Sequence, residues 1–188
     1  MLGRNEILKQ LELGNIVIDP FNEKQLGPNS YDICLGEYFY RQKIASLLSH
    51  YLVEERIITV SSIWDTNEIQ EKDYFLIKTQ EYVLASTKER IGAQNGYSTL
   101  LLTRSTVGRQ GVQVCASAGL GDVGFINIWT LMIHNISQQD LYLPINMRIA
   151  QIVFFKVEGA DVKYSGGYKQ QEKWEPSQML PKLGKERF

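Results

Sequence analysis

Cysteine is nearly absent from this chain. Cys34 and Cys115 stand far apart with no CxxC between them, so they read as reduced packing residues and no disulfide framework is asked for. The H-x-E and P-C-x-x-C ligand sets of the zinc deaminases are missing as well, which excludes that metal chemistry. Charge of either sign is not in excess: 20 basic and 21 acidic residues leave a formal −1. There is no global field to attract nucleic acid, and any bound anion needs a local cluster. Long apolar runs are lacking too, since none approaches the ~18 residues of a membrane span. The start, MLGRNEILKQ, has no apolar signal core, and the expectation is a cytoplasmic protein without a membrane partner.

The 188 residues, 44% hydrophobic and 22% charged, suffice for one domain with a real core. Ile7, Leu8, Leu11 and Leu13 mark a short helix, with Asn5 as its cap and Gly14 as its stop. Ile16 to Ile18 reads as a strand. Helical periodicity is then scarce, and β-rich runs follow at Tyr31 to Leu35, Tyr74 to Lys78, Tyr82 to Ser86, Tyr97 to Thr103 and Val112 to Ala116. The longest are Ile126 to His134 and Ile149 to Val157. Gly, Asn and Pro punctuate them, as in an all-β barrel or sandwich. Residues 41–72 read as an insertion, with a helix over 44–53 and an acidic loop over 65–72. From Ser165 onward the chain is polar apart from Trp174, so ordering it calls for a ligand or a neighbouring subunit.

Three stretches carry chemistry. Arg104-Ser105-Thr106-Val107-Gly108-Arg109 puts two guanidinium groups and two hydroxyls in one turn, a set that matches phosphate oxygens or simply a solvated surface. Gly121-Asp122-Val123-Gly124-Phe125 leads an acidic residue through a glycine-rich turn into the longest strand. That carboxylate either faces a ligand at the strand's mouth or caps its own backbone. Asn146 to Phe155 reads as a buried strand with a polar start.

In order, PNSYDICLG (28–36), YVLASTKERI (82–91), RSTVGRQGV (104–112), GDVGFINIWTL (121–131), RIAQIVF (148–154) and the tail GYKQQEKWEPS (167–177) resemble the dUTPase and dCTP deaminase superfamily. The likeness is greatest to its deaminase branch and to the bifunctional deaminase-diphosphatases. It implies a mainly β, distorted jelly-roll-like barrel over 1–164, with a short N-terminal helix and small helical inserts. A flexible tail over 165–188 would close the active site, and the assembly would be a homotrimer. It further implies that Arg104, Ser105 and Arg109 contact phosphates and that Asp122 binds the 3′-hydroxyl and orients the attacking water. Phe125 would pack on the deoxyribose, groups near Ala116 and Ala118 would read the base, and Tyr168 and Gln171 would close over the triphosphate. The substrate would arrive as a Mg2+ complex, with Asp32 helping to hold the hydrated metal. Gly167 stands where the deaminase branch commonly has lysine, so one phosphate contact is missing or passes to Lys169.

One departure decides the expected activity. The deaminase branch carries a glutamate ten residues beyond the Asp of the glycine-rich turn, and Met132 stands there in this chain. Strand alternation puts Met132 on one face with Thr130 and His134. Deamination needs a group that takes a proton from water and passes one toward the departing ammonia, and a thioether can do neither. Attack of water on the α-phosphorus asks less of the base pocket. The expected function is therefore hydrolysis of dUTP to dUMP and pyrophosphate. The alternatives are a deaminase with rearranged acid-base groups, a diphosphatase for another pyrimidine deoxynucleotide, or a non-catalytic nucleotide-binding homologue.

Overall fold

The structure, a computed structural model of the chain, describes residues 1–41, 68–69, 73–168 and 173–181. The chain opens with helix α1 (Arg4–Glu12), followed by β1 (Ile16–Asp19) and β2 (Tyr31–Arg41). Then come β3 (Glu68–Ile69), β4 (Tyr74–Ile77), β5 (Tyr82–Ala93) and β6 (Tyr97–Thr103). A single helical turn, α2 (Ser105–Gly108), leads to β7 (Val112–Val114) and β8 (Leu120–Gly121). The last strands are β9 (Ile126–Asn135), β10 (Leu141–Pro144) and β11 (Arg148–Lys156), with a 3-10 turn at Pro176–Met179.

Nine strands form one antiparallel sheet in the order β7-β9-β5-β2-β11-β6-β8, with β1 on β5 and β3 on β2 outside that path. β10 and β4 make a separate pair. The sheet curls around Tyr31, Ile33, Phe39, Ile91, Leu131, Ile152 and Phe154, all buried. Phe39 and Phe75 stack in parallel at 3.8 Å. The mainly β fold with a short N-terminal helix is the one expected.

Several local details differ from the sequence expectation. Asn5 lies inside α1, whose cap is Gly3 with no side-chain cap bond. Leu13 is exposed beyond the helix end, and Gln10 takes a buried place instead. Its amide donates to Glu6 and its carbonyl accepts from Asn15, so the polar group is satisfied. β2 runs on past Leu35, and β5 past Ser86, because both strands are bulged. Pairing shifts between Leu35 and Phe39 on β2, and between Ser86 and Arg90 on β5.

Side chains near these shifts satisfy backbone N–H groups that a regular ladder would serve. Glu89, 1% exposed, accepts from the Cys34 N–H at 2.9 Å and from the Gln25 amide. Thr87 Oγ1 accepts from the Trp129 N–H at 2.8 Å. The run Thr87-Lys88-Glu89-Arg90 looks too polar for a central strand, yet two of its polar groups turn inward to do ladder work. β8 and β10, too short to stand out in the sequence, were not expected. Of the insertion, Arg41 closes β2 and residues 68–69 form β3; the helix expected over 44–53 falls outside the described residues. No described helix is long and apolar enough to cross a membrane.

Candidate active site

Asp122 follows β8 directly. Its carbonyl accepts from the Phe125 N–H at 2.9 Å, closing a four-residue turn. Gly124 within that turn has φ +91°, a conformation that side-chain-bearing residues rarely take. The turn is fixed from beneath by Trp129, 4% exposed, whose indole N–H donates to the Ile91 carbonyl at 2.9 Å. A Cβ on Gly121 would fall 2.6 Å from the Trp129 ring and 2.2 Å from Thr99 Oγ1. Only glycine lets the backbone before Asp122 settle onto that indole.

The carboxylate so presented is exposed. Among the described residues it has no hydrogen-bond or ion-pair partner. It therefore does not cap its own turn. It stands instead at the rim of a cavity of about 580 Å³, within the range of ligand pockets. Phe125 lines the same cavity and is edge-on to Trp129 at 5.1 Å and to Tyr164 at 5.3 Å.

Strand β9 supplies the floor. Its residues alternate in burial, and Ile128, Thr130 and Met132 face the cavity. Met132 packs with Leu84, Tyr40 and Met179 at the apolar end. Behind it, the Cys115 N–H donates to the Met132 carbonyl at 2.9 Å, and the Met132 N–H donates back to Cys115 Sγ at 3.4 Å. Cys115 has φ +51° and starts the loop that carries Ala116 and Ala118, both exposed. Ala118 reaches the rim of the main cavity, whereas Ala116 lines a second depression against β6. Burial pushes the Cys115 thiol up to about 11. Both cysteines are free and buried.

From the C-terminal segment of the same chain, Tyr168, Trp174, Gln178, Met179 and Pro181 line the cavity. The Asn127 amide, 6% exposed, donates to the Tyr168 carbonyl at 3.3 Å. Trp174 lies 5.2 Å from Tyr38, and Met179 is 3% exposed beside Tyr40 and Leu84. The described part of this polar stretch packs on the sheet through two apolar side chains. Trp174 and Met179 give it apolar anchors on β2 and β5. Gln171 and Lys169 lie outside the described residues.

The arginine turn lies elsewhere. Arg104 follows β6, and its Nε sits 3.2 Å from Asp32 Oδ2. Arg148, opening β11, reaches the same oxygen at 3.4 Å. Burial raises the Asp32 carboxyl above its ordinary value, and the charges of Arg104 and Arg148 oppose that rise without cancelling it. Ser105 and Arg109 are exposed on α2 and just after it. Thr99 on β6 pairs with Gly121, so Ser98 stands beside Asp122. At about 3.3 Å per residue, the strand from Ser98 to Arg104 separates the carboxylate from the arginine turn by roughly 20 Å. One chain therefore brings Asp122, Ala118, Phe125, Met132 and Tyr168 together. It leaves Arg104, Ser105 and Asp32 in a second cluster.

The sequence reading missed Asn127, Tyr164 and Met179 as cavity residues. Asn127 alone had a signal, as an amide in an otherwise apolar strand.

A dCTP deaminase-like family profile matches residues 1–157. A protein of Methanosphaera stadtmanae named "dCTP deaminase, dUMP-forming" is 33% identical over 177 residues, covering 88% of this chain and 89% of that one. One of the same name from Clostridium beijerinckii is 33% identical over 182 residues, covering 95% and 96%. In fold, the chain is similar to 2′-deoxycytidine 5′-triphosphate deaminase from Agrobacterium tumefaciens, with a TM-score of 0.60 at 14% identity. That likeness takes in 81% of this chain and 46% of the other. Profile, curated relatives and curled sheet agree with the motif order, and this chain belongs to the dCTP deaminase-like family.

Proposed function

We propose that this protein hydrolyses a pyrimidine deoxynucleoside triphosphate, dUTP foremost, to the monophosphate and pyrophosphate. The observation that carries the reading is the contrast between the two ends of the cavity. At the rim stands Asp122, a carboxylate without a partner among the described residues and able to orient or deprotonate a water. At the inner end stands Met132, among Leu84, Tyr40 and Met179, where its thioether has no proton to give or take. A triphosphate keeps its charge toward solvent, so its base is the part that enters the apolar end. Phe125 offers a ring face to the deoxyribose, and the loop with Ala116 and Ala118 offers backbone groups to the base.

Arg104, Ser105 and Arg109 are suited to phosphate oxygens, where guanidinium forks stabilise charge as it develops in the transition state. Because they lie roughly 20 Å from Asp122 along β6, a complete site calls for the arginine turn of a second copy. This supports a homo-oligomer with shared sites, a trimer in this family.

Among the described residues no cluster of three His, Cys, Asp or Glu is present. Mg2+ commonly keeps several waters and takes one or two carboxylates plus substrate phosphates. Asp32 fits such a set: its Oδ2 is engaged by two arginines, while Oδ1 has no partner among the described residues. Bound with the triphosphate, magnesium would neutralise charge on the phosphate oxygens.

The relatives' shared name favours a second reading, deamination of dCTP with dUMP as the end product. Both readings end at dUMP, and one experiment separates them. With Mg2+ and dUTP, pyrophosphate release is expected; with dCTP, no ammonia. Ammonia from dCTP would establish the second reading, and binding of dUTP without pyrophosphate would leave a nucleotide-binding homologue.

A further inference from the structure

The geometry points to Arg148 as a triphosphate-contacting residue, held in place with Arg104 by Asp32, which acts as the positioning residue for both. The inference rests on the nucleotide-binding part of the reading above, not on hydrolysis itself. Arg104 and Arg148 come from the end of β6 and the start of β11, far apart in sequence, so no spacing could reveal that they meet. They converge on one carboxylate oxygen, Asp32 Oδ2, at 3.2 and 3.4 Å. Arg104 NH1 also donates to the Arg148 carbonyl at 3.0 Å, which fixes one guanidinium beside the backbone of the other.

The charge balance of this cluster is uneven. Two cations share one anion, so one positive charge is left over. A purely structural pair needs a single cation, and exposed pairs contribute little to stability. The donor count agrees. A guanidinium has five N–H donors, and among the described residues the Arg148 side chain makes one hydrogen bond, to Asp32. Its side chain is 48% exposed, against 26% for Arg104 and 17% for Asp32. The half-buried carboxylate thus anchors two guanidinium groups, that of Arg148 about half exposed. Ser105 and Arg109, both exposed, follow on the same turn. Planar, multi-donor and cationic, this arrangement suits the oxygens of a polyphosphate.

Asp32 acts through the arginines. Replacing it leaves their charge in place and removes the orientation of the forks.

The test uses the full chain with Mg2+ and the non-hydrolysable analogue α,β-imido-dUTP, measured by calorimetry, with turnover of dUTP measured alongside. Arg148→Ala is expected to weaken analogue binding about 10- to 100-fold, the size of a lost hydrogen bond between charged groups. Arg148→Lys should recover part of that loss, and Arg148→Gln, which keeps the bulk, should not. The salt dependence of binding should become shallower in Arg148→Ala, because one fewer cation meets the phosphates. A purely structural role would not change that slope. Asp32→Asn should raise KM for dUTP and leave the melting temperature near that of the parent.

Wild-type affinity in both Arg148→Ala and Arg148→Gln would overturn the inference, as would a loss confined to melting temperature. If the parent protein binds the analogue but does not hydrolyse dUTP, the diphosphatase reading fails while the Arg148 result still stands or falls by its own affinity. If the parent binds no analogue, both fail.

Discussion

Replacing Gly121 with alanine tests how the fold aims Asp122. The added Cβ would sit 2.2 Å from Thr99 Oγ1 and 2.6 and 2.7 Å from two carbons of the Trp129 ring. Carbon contacts settle near 3.5–4.0 Å, so about 1 Å of movement is required. Trp129 has little room to give it, being 4% exposed and tied to Ile91 through its indole N–H. Thr99 is fully buried on β6. The β8 backbone and the Asp122 turn must therefore move. Overpacking of this kind costs about 1–3 kcal/mol, which for a chain of this size lowers the melting temperature by roughly 2–12 °C.

The catalytic effect should exceed the stability effect. A displacement of about 1 Å can cost about 100-fold in rate. The assay is pyrophosphate release from dUTP with Mg2+, measured well below the melting temperature, with α,β-imido-dUTP binding as the control for an intact pocket. The expected result is a large fall in kcat with modest change in analogue affinity. The double variant Gly121→Ala/Trp129→Leu, which removes most of the ring, should recover part of the turnover. Parental kcat in the single variant would refute the claim that Trp129 and Gly121 set the position of Asp122.

Asp122→Asn should lower dUTP turnover by about 10²–10⁴-fold while analogue binding persists; unchanged turnover removes Asp122 from the chemistry. Met179→Ala should cost about 2–5 kcal/mol of local packing and open the C-terminal segment to limited proteolysis. A cleavage pattern like that of the parent would show that Met179 is not its anchor. The thiol of Cys115, ordinarily near 9.0, is pushed up to about 11 by burial. At pH 8 the thiolate would be about 100-fold scarcer than in a free cysteine, so alkylation by iodoacetamide should be slow in the native protein and fast in urea. Between pH 9 and about 11 the unfolded chain releases this proton and the folded chain keeps it, so stability should fall as pH rises through that window. Rapid native alkylation at pH 8 would contradict the buried environment.

The order of the motifs, the β-rich pattern and the glycine-rich turn before a long strand are local properties, and the sequence by itself determined them. So too the face that Met132 shares with Thr130, because alternation along a strand follows from backbone geometry alone. Other features depend on residues that meet only when the sheet curls. No spacing shows that Glu89 and Thr87 turn inward at the bulges to accept from the Cys34 and Trp129 amides. Tail residues Trp174 and Met179 look unanchored until β2 and β5 bring Tyr38, Tyr40 and Leu84 beneath them. Arg148 reads as the polar start of a core strand until β11 lies between β2 and β6 and joins it to Asp32 and Arg104. Sequence sets which groups each strand can offer. Which of them share a site is decided by pairing across the sheet, and that depends on contacts remote along the chain.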